Sequence, residues 1–397
     1  MFIADALILN ADAPFIIIET KKSFSDIVYR AMSDIQEYLR IPWSILYQED
    51  YDSIYLRPID GDFENYGDLT ETAHIILNNE ADRVSPLCNS DYFNEIDNII
   101  RKPLKKLSQS TQVEKFLSQL KPSDIQVPER NISFNPDVET RFFESLLGKI
   151  SQIVISRYTS KNTLYQILDN GTFGMCSINC MNDSSEVDYA DSYINISRLS
   201  INELIKEGNE IFIFSACNEN KSDNLLMWRL YAQNAEGICM NLGINTKILS
   251  NHNFYLYPIS YGTSDSGHAE LNIIRDILNW GFRGPKFIFH NWKIWKHFFK
   301  SHHFKYEKEI RLLYYNKSSD SPATLKWIHD SYTGIASPIL IFKSANFPLE
   351  LKNAVIGPRD IQSCTNSIQL NERINNTAFG ESVYTPFCRE SKIKIYR

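Results

Sequence analysis

The chain opens with two apolar runs, residues 3 to 9 and 14 to 19, separated by the turn formers Asn10-Ala11-Asp12-Ala13-Pro14. That pattern predicts a β-hairpin. From Phe24 to Leu39 the apolar positions Ile27, Val28, Ala31, Met32, Ile35 and Leu39 recur at helical spacing, with Ser23 or Ser25 placed to cap the helix. Ser44-Ile45-Leu46-Tyr47 and Ser53-Ile54-Tyr55-Leu56 then alternate as a second pair of strands around Gln48-Glu49-Asp50. Strand, strand, helix, strand, strand makes a compact α/β unit by about residue 60.

The texture changes after residue 66. Helical patterns over Thr70 to Asn78, Tyr92 to Ile100, Val113 to Leu120 and Val138 to Ile150 are broken by Pro103, Pro122 and Pro128. The Pro-, Ser- and Asn-rich stretch from Lys121 to Pro136 reads as a linker. Strand-like runs follow at 153 to 158, 211 to 217, 237 to 242, 310 to 315, 338 to 343 and 354 to 357. The expectation is therefore an α/β protein: a small mixed-sheet core over 1–66, a helical connector and linker over 67–150, and a larger α+β domain over 151–397. The sequence contains no internal repeat and no low-complexity tract.

Composition narrows the class without naming a function. With 43% hydrophobic and 13% aromatic residues among 397, sizeable cores are available. A formal net charge of -7 gives no global attraction to nucleic acid, so a polyanion site has to be a local basic patch. The seven cysteines, Cys88, Cys176, Cys180, Cys217, Cys239, Cys364 and Cys388, are odd in number and scattered, which reads as reduced thiols in the cytoplasm and not as a disulfide framework or zinc module. No apolar run approaches the length of a membrane span, so no membrane partner is expected.

Chemistry first concentrates in the hairpin. Asp5 and Glu19, on adjacent strands, can bring two carboxylates to one edge as oxygen ligands for a hard cation. Lys21, two residues beyond Glu19, falls on the same strand face. Two acids and a cation suit metal-assisted phosphodiester hydrolysis. The ordered set, Asp5 in ADALIL, Glu19 and Lys21 in FIIIETK and Gln36 in MSDIQEYLR, followed by IPWSILYQEDYDSIYLRP, resembles the PD-(D/E)xK nuclease superfamily, and more closely the nuclease domain of type I restriction enzyme motor subunits. The resemblance covers about the first 60 residues. It implies a restriction-endonuclease-like core, Mg²⁺ held by Asp5 and Glu19, water positioned by Lys21, substrate or water oriented by Gln36, and DNA as substrate in prokaryotic antiviral defence. A second copy or a partner defence protein is the further partner such an effector implies. The bland alternative is that Glu19 and Lys21 only solvate a strand end.

The second half carries RYTSKNTLYQILDNGTFGMCSINCMNDSSE, IFIFSACNENKSDNLLMWRLYAQNAEGICMNL, FKYEKEIRLLYY and LKNAVIGPRD. Together these resemble a widespread bacterial family of unknown function. Their layout, with Arg157, Tyr158 and Thr159 on a first strand, Phe214 and Ser215 on a later one and Glu307 and Glu309 on an acidic strand, is also similar to the ADP-ribosyltransferase scaffold. That likeness implies NAD held by Arg157, Tyr158, Ser215 and Tyr231, with Glu307 or Glu309 binding the ribose as positive charge develops. Structural readings stand beside it. Met227, Trp228 and Tyr231 fit a helix packing its apolar face, Asn182-Asp183 with Glu186 fits a helix cap and capping-box acid, and Glu307, Glu309 and Arg311 fit an ion-paired ladder.

A last feature is the stretch from 283 to 311, where Arg283, Lys286, Lys293, Lys296, Lys300, Lys305, Lys308 and Arg311 interleave with Trp292, Trp295, Phe298 and Phe299. It reads either as phosphate binding with aromatic stacking, hence a non-catalytic nucleic-acid recognition module, or as an amphipathic helix with tryptophans inward and lysines outward. His302-His303 has no partnered cluster to make a metal site.

Overall fold

The structure is a computed structural model that describes residues 6–10, 13–21, 32–34, 36, 41, 43–48, 53–58, 64–65, 89–107, 111–127, 131–150, 153–180, 185–196, 200–251, 253–264, 267–279, 286–317, 321–329, 336–376 and 387–393. It is an α/β protein with mixed sheets, and its contacts divide it into two compact units. The first comprises residues 1–103, 117–138 and 275–289, and the second residues 104–116, 139–274 and 290–397. Among the described residues no helix is long and apolar enough to cross a membrane.

The sheet of the first unit follows the hydrophobic alternation closely. Strands β1 (Ala6–Asn10) and β2 (Ala13–Lys21) form the antiparallel hairpin, in register from Asn10 with Ala13 to Ala6 with Ile18. The chain then returns so that β3 (Trp43–Gln48) runs parallel to β2, and β4 (Ser53–Pro58) and β5 (Glu64–Asn65) follow antiparallel. Residues 32–34 and 36 of the intervening segment are helical, as the spacing predicts. Ile16, Trp43, Ile45, Ile54 and Leu56 build the core on one face.

On the other face Gln36 docks that helical stretch onto the sheet. Its Oε1 accepts from Ser44 Oγ at 2.5 Å and Arg57 Nη1 at 2.8 Å, and its Nε2 donates to the Arg57 carbonyl at 3.1 Å. All three residues are buried, so these bonds replace water that the amide and guanidinium would otherwise keep.

The expected linker is built into this unit instead. Its apolar positions Ile125, Ile132 and Phe134 are buried in a small sheet of Ile125–Gln126, Asn131–Phe134 and Lys286–Phe287, with the Phe134 and Phe287 rings edge to face at 5.1 Å. The prolines that suggested a linker flank strands too short for composition to reveal.

The second unit is organised by a ten-stranded mixed sheet. Its strands are β6 (Val154–Thr159), β7 (Thr172–Ser177), β8 (Ile211–Asn218), β9 (Ile238–Ile244), β10 (Phe254–Pro258), β11 (Glu309–Tyr315), β12 (Ala323–His329), β13 (Ala336–Lys343), β14 (Leu349–Ile356) and β15 (Phe387–Glu390). They lie in the order β12-β13-β7-β8-β6-β9-β14-β15, with β11 pairing both β8 and β10. One face is apolar. Phe212, Phe214, Met240, Leu312 and Leu340 pack there against Leu164, Ile167 and Leu168 of helix α1 (Lys161–Asn170) and Leu370 and Ile374 of a helix over Ser363–Asn375.

Strand β8 is the centre of this sheet and is paired unevenly. Strand β11 follows it from Ile211 to Cys217, whereas on the other edge β7 takes Phe212 and Ile213 and β6 takes Cys217 and Asn218. Between β6 and β7 the sheet is forked, and residues 214–216 meet no strand there. Arg157 of β6 fills the fork, with Nη1 donating to the Ser215 carbonyl at 3.0 Å and its guanidinium 3.9 Å above the Phe214 ring centroid. A guanidinium thereby satisfies a carbonyl that no neighbouring strand reaches.

Gln36→Ala removes the three bonds that dock the helical stretch, so the first unit should lose about 2–3 kcal/mol of local stability. Amide hydrogen exchange in β3 and β4 should accelerate roughly 30- to 150-fold while β8 and β11 exchange unchanged.

Candidate functional site

The first candidate constellation is carried by β2. Glu19 and Lys21 lie on that strand, paired in register with Leu46 and Gln48 of β3. Asp5 lies outside the described residues, as the position preceding Ala6, whose partner Ile18 precedes Glu19. Gln36 bonds Ser44 and Arg57, and the β2 partner of Ser44 is Ile17, two residues before Glu19. Its amide is committed to the sheet, which makes it a strut beside that position.

The second constellation is dense and lies on the polar face of the ten-stranded sheet. Alternation puts Glu309 and Arg311 of β11 on the face opposite the apolar core, beside Cys217 and Ser215, their register partners on β8. Ser215 is exposed although the residues flanking it, Phe214 and Ala216, are buried, so the middle of the sheet is open to solvent at this point.

The charges around that opening are buried and paired with one another. Lys300 Nζ sits 2.9 Å from Glu186 Oε1, 3.0 Å from Glu307 Oε2 and 2.8 Å from Glu309 Oε2. Arg311 Nε binds Glu309 Oε1 at 2.9 Å, Nη2 reaches Glu186 at 3.1 Å, and Nη1 donates to the His297 carbonyl at 2.5 Å. Tyr231, exposed on helix α3 (Leu225–Tyr231), donates its hydroxyl to Glu307 Oε1. Tyr231 therefore joins the polar set, while Met227 and Trp228 are core. Glu186, expected as a capping acid, is an ion-pair partner on helix α2 (Ser185–Tyr193); Asn182 and Asp183 lie outside the described residues.

The basic-aromatic stretch is neither an amphipathic helix nor a solvated face. It breaks into a one-turn helix (Trp292–Trp295), a 3₁₀ turn (Lys296–Phe298), a short strand (Phe299–Lys300) and a second 3₁₀ helix (His302–Glu307). Lys296 and Lys300 point inward, at 2% and 4% exposure. Lys296 binds Asp191 and Glu207, each at 2.9 Å, and Trp292 Nε1 donates to the same Asp191 at 2.7 Å. The segment begins where Glu139 accepts the backbone N–H groups of His290 and Asn291, both at 2.8 Å. His297 is fully buried, and burial followed by Lys296 and Arg311 pushes its pKa well below the ordinary histidine range.

Burial alone would raise the pKa of Glu309, but Arg311 and Lys300 outweigh it and hold the carboxyl at about 2. Lys300 is likewise held above its ordinary value, burial opposing and Glu309 dominating the charges that favour the ammonium. Tyr158 is placed differently from its expected ligand role. Its hydroxyl donates to the Lys221 carbonyl at 2.5 Å, accepts the Asn224 N–H at 2.8 Å, and its ring meets Trp228 edge on. Tyr158 thus fixes the turn that starts α3.

The structure brings Arg157, Ser215, Glu307, Glu309 and Tyr231 to three adjacent strands and their rim. Sequence reasoning missed Asp191 and Glu207, and gave Lys296 and Lys300 a phosphate-binding or outward-facing role and Glu186 a capping role in place of the buried ion pairs they make. The one available signal was lysine recurring every third or fourth residue among aromatics, a spacing that also fits an outward stripe.

Residues 227–312 match the profile of a family described as a protein of unknown function, DUF2971. The matched segment holds Tyr231, Lys300, Glu307, Glu309 and Arg311, and leaves out Arg157, Ser215 and Glu186. No curated protein and no solved structure matches the chain at a significant level.

Because the folded pKa of Glu309 lies below its ordinary value near 4.5, its ion pairing stabilises the second unit fully above that pH and is lost as pH falls toward about 2. Urea unfolding followed by near-ultraviolet circular dichroism should show stability dropping across this window. Glu309→Gln should be less stable at pH 7 and show a flatter acid limb.

Proposed function

We propose that the chain is a metal-dependent nuclease whose first unit hydrolyses phosphodiester bonds, with DNA as substrate, in a prokaryotic defence role. The observation that carries this reading is the sheet of that unit: an antiparallel β1–β2 hairpin followed by a return parallel to β2, with Glu19 and Lys21 at the end of β2 and Asp5 immediately ahead of β1 in sequence. The order of these residues and strands agrees with the motif resemblance.

The donor chemistry fits a hard divalent cation, since Asp5 and Glu19 offer only carboxylate oxygen. Mg²⁺, when bound by them, supplies positive charge to the phosphate. Lys21 holds the attacking water and offsets phosphate charge through its ammonium. Water forms the new P–O bond as the bond to one sugar oxygen breaks; a proton leaves the water and one is taken up by the departing oxygen. Gln36 keeps the helical stretch seated on β3 and β4.

A second reading belongs to the second unit and is favoured by the exposed Ser215 of β8, which pairs with Arg311 of β11 and whose carbonyl accepts from Arg157 of β6. There NAD⁺ would be a substrate. Its ribose–nicotinamide bond breaks with the electron pair leaving on neutral nicotinamide, an acceptor O–H or water forms the new C1′–O bond, and the released proton passes to a carboxylate or solvent. Arg157 would bind phosphate, and the anionic carboxylates would oppose the positive charge developing on the ribose.

Purified protein should cleave nucleic acid only with a divalent ion. Glu19→Ala and Lys21→Ala should each lower cleavage by about a hundredfold or more. Absence of divalent-dependent cleavage, or unchanged cleavage in both variants, sinks the nuclease reading. Arg157→Ala should leave cleavage intact and abolish any release of nicotinamide from NAD⁺.

A further inference from the structure

Glu307 and Glu309 are two residues apart but belong to different elements, a 3₁₀ helix and β11. Lys308 between them has a left-handed backbone, φ +46°, a conformation that a non-glycine residue adopts at some cost. The kink changes helix to strand while leaving both carboxylates on one ammonium, that of Lys300, at 3.0 and 2.8 Å. Lys300 itself lies in a two-residue strand held parallel to Ser260–Tyr261, and its ammonium is 4.9 Å from the Phe304 ring centroid.

We propose that Lys300 is a positioning residue for the NAD-consuming reaction: its buried ammonium fixes the Glu307 and Glu309 carboxylates side by side and keeps Glu309 anionic next to the opening at Ser215. This assignment rests on the second reading for its chemical purpose and on the cage geometry for its existence. Three carboxylates, Glu186, Glu307 and Glu309, share two cations, Lys300 and Arg311, so the set carries excess negative charge facing the place where positive charge would develop. Removing the ammonium leaves three acids on one guanidinium, and their mutual repulsion drives a proton onto the cluster. An apolar replacement of one partner is costly for the same reason.

The other groups facing this cluster come from several elements. Tyr231 donates from α3, Tyr261 accepts the Glu309 backbone N–H at 2.8 Å, Cys217 is the register partner of Glu309 on β8, and Arg157 lies across the fork. The hydroxyls and the thiol are neutral donors or acceptors near neutral pH, so Lys300 and Arg311 supply the positive charge in contact with Glu309.

The test is a pH titration of ¹³C-carboxyl-labelled glutamate by NMR in wild type, Lys300→Met and Lys300→Arg, with Glu309→Gln identifying the resonance. In Lys300→Met the Glu309 carboxyl should titrate about one pH unit or more higher, and Lys300→Arg should return it most of the way. An unmoved titration in folded Lys300→Met overturns the assignment, as does a Lys300→Arg variant that titrates like Lys300→Met. If Lys300→Met fails to fold, Glu186→Gln decides. With one competing acid removed from the ammonium, Glu309 should titrate no higher than in wild type, and an upward shift overturns the assignment. The acid limb of NAD⁺ consumption should move with the carboxyl. A wild type that consumes no NAD⁺ while the titrations move as stated removes the NAD reading and leaves the Lys300 cage supported.

Discussion

The polar face of the second unit depends on two lysines that have no water to serve them. Lys296 and Lys300, four residues apart in a segment otherwise filled by Trp295, Phe298 and Phe299, are both buried, and each needs carboxylates brought to it from elsewhere in the chain. Helix α2 supplies one for each, Asp191 and Glu186. Burying an ammonium costs several kcal/mol, so a segment that carries two can settle only where both are met. The pairs contribute little net stability against an apolar equivalent; their effect is to select one placement of α2 over the sheet.

That placement bears on the fork. With α2 and the aromatic segment laid over Glu309 and Arg311, the sheet is covered on one side of Ser215, while Arg157 plugs the gap between β6 and β7 on the other. Ser215 stays open between them. A central strand is the least expected place for an exposed small polar residue, and both sequence neighbours of Ser215, Phe214 and Ala216, are buried. Here it follows from two local facts: the neighbouring strand is split, and the covering segment is tied down by charge at defined points and not by continuous apolar contact.

Much of this fold was legible in the chain. The hairpin, β3 and β4 were visible because alternation and turn residues agree, and six strands of the second unit's large sheet, β6, β8, β9, β11, β13 and β14, announced themselves as apolar runs, whereas β7, β10, β12 and β15 did not. The Ile125–Phe134 strands were not, because two- and four-residue strands among Pro, Ser and Asn leave too short a pattern. Of the site, Glu309 was visible as an acid opening an apolar strand, and Ser215 as a polar residue in IFIFSACN; Glu307, expected on the same strand, ends the 3₁₀ helix before it. Lys300 was not, because an inward and an outward lysine have the same sequence spacing; its tertiary partners distinguish them, and one of these, Glu186, is more than a hundred residues away. Tyr158 shows the converse, a residue chosen for its chemistry whose hydroxyl is spent on closing a turn.

The buried cluster also changes what the chain's charge means. Five carboxylates, Glu186, Asp191, Glu207, Glu307 and Glu309, are met there by Lys296, Lys300 and Arg311, so part of the formal charge of -7 is internal and is not presented to a polyanion. The same burial withdraws basic residues from the 283–311 stretch, since Lys293 pairs with Glu210 and Lys296, Lys300 and Arg311 are inside. A stacking platform for nucleic acid needs its cations at the surface. Four of this segment's cations instead meet carboxylates brought from elsewhere in the chain, so those four are withdrawn from any such platform.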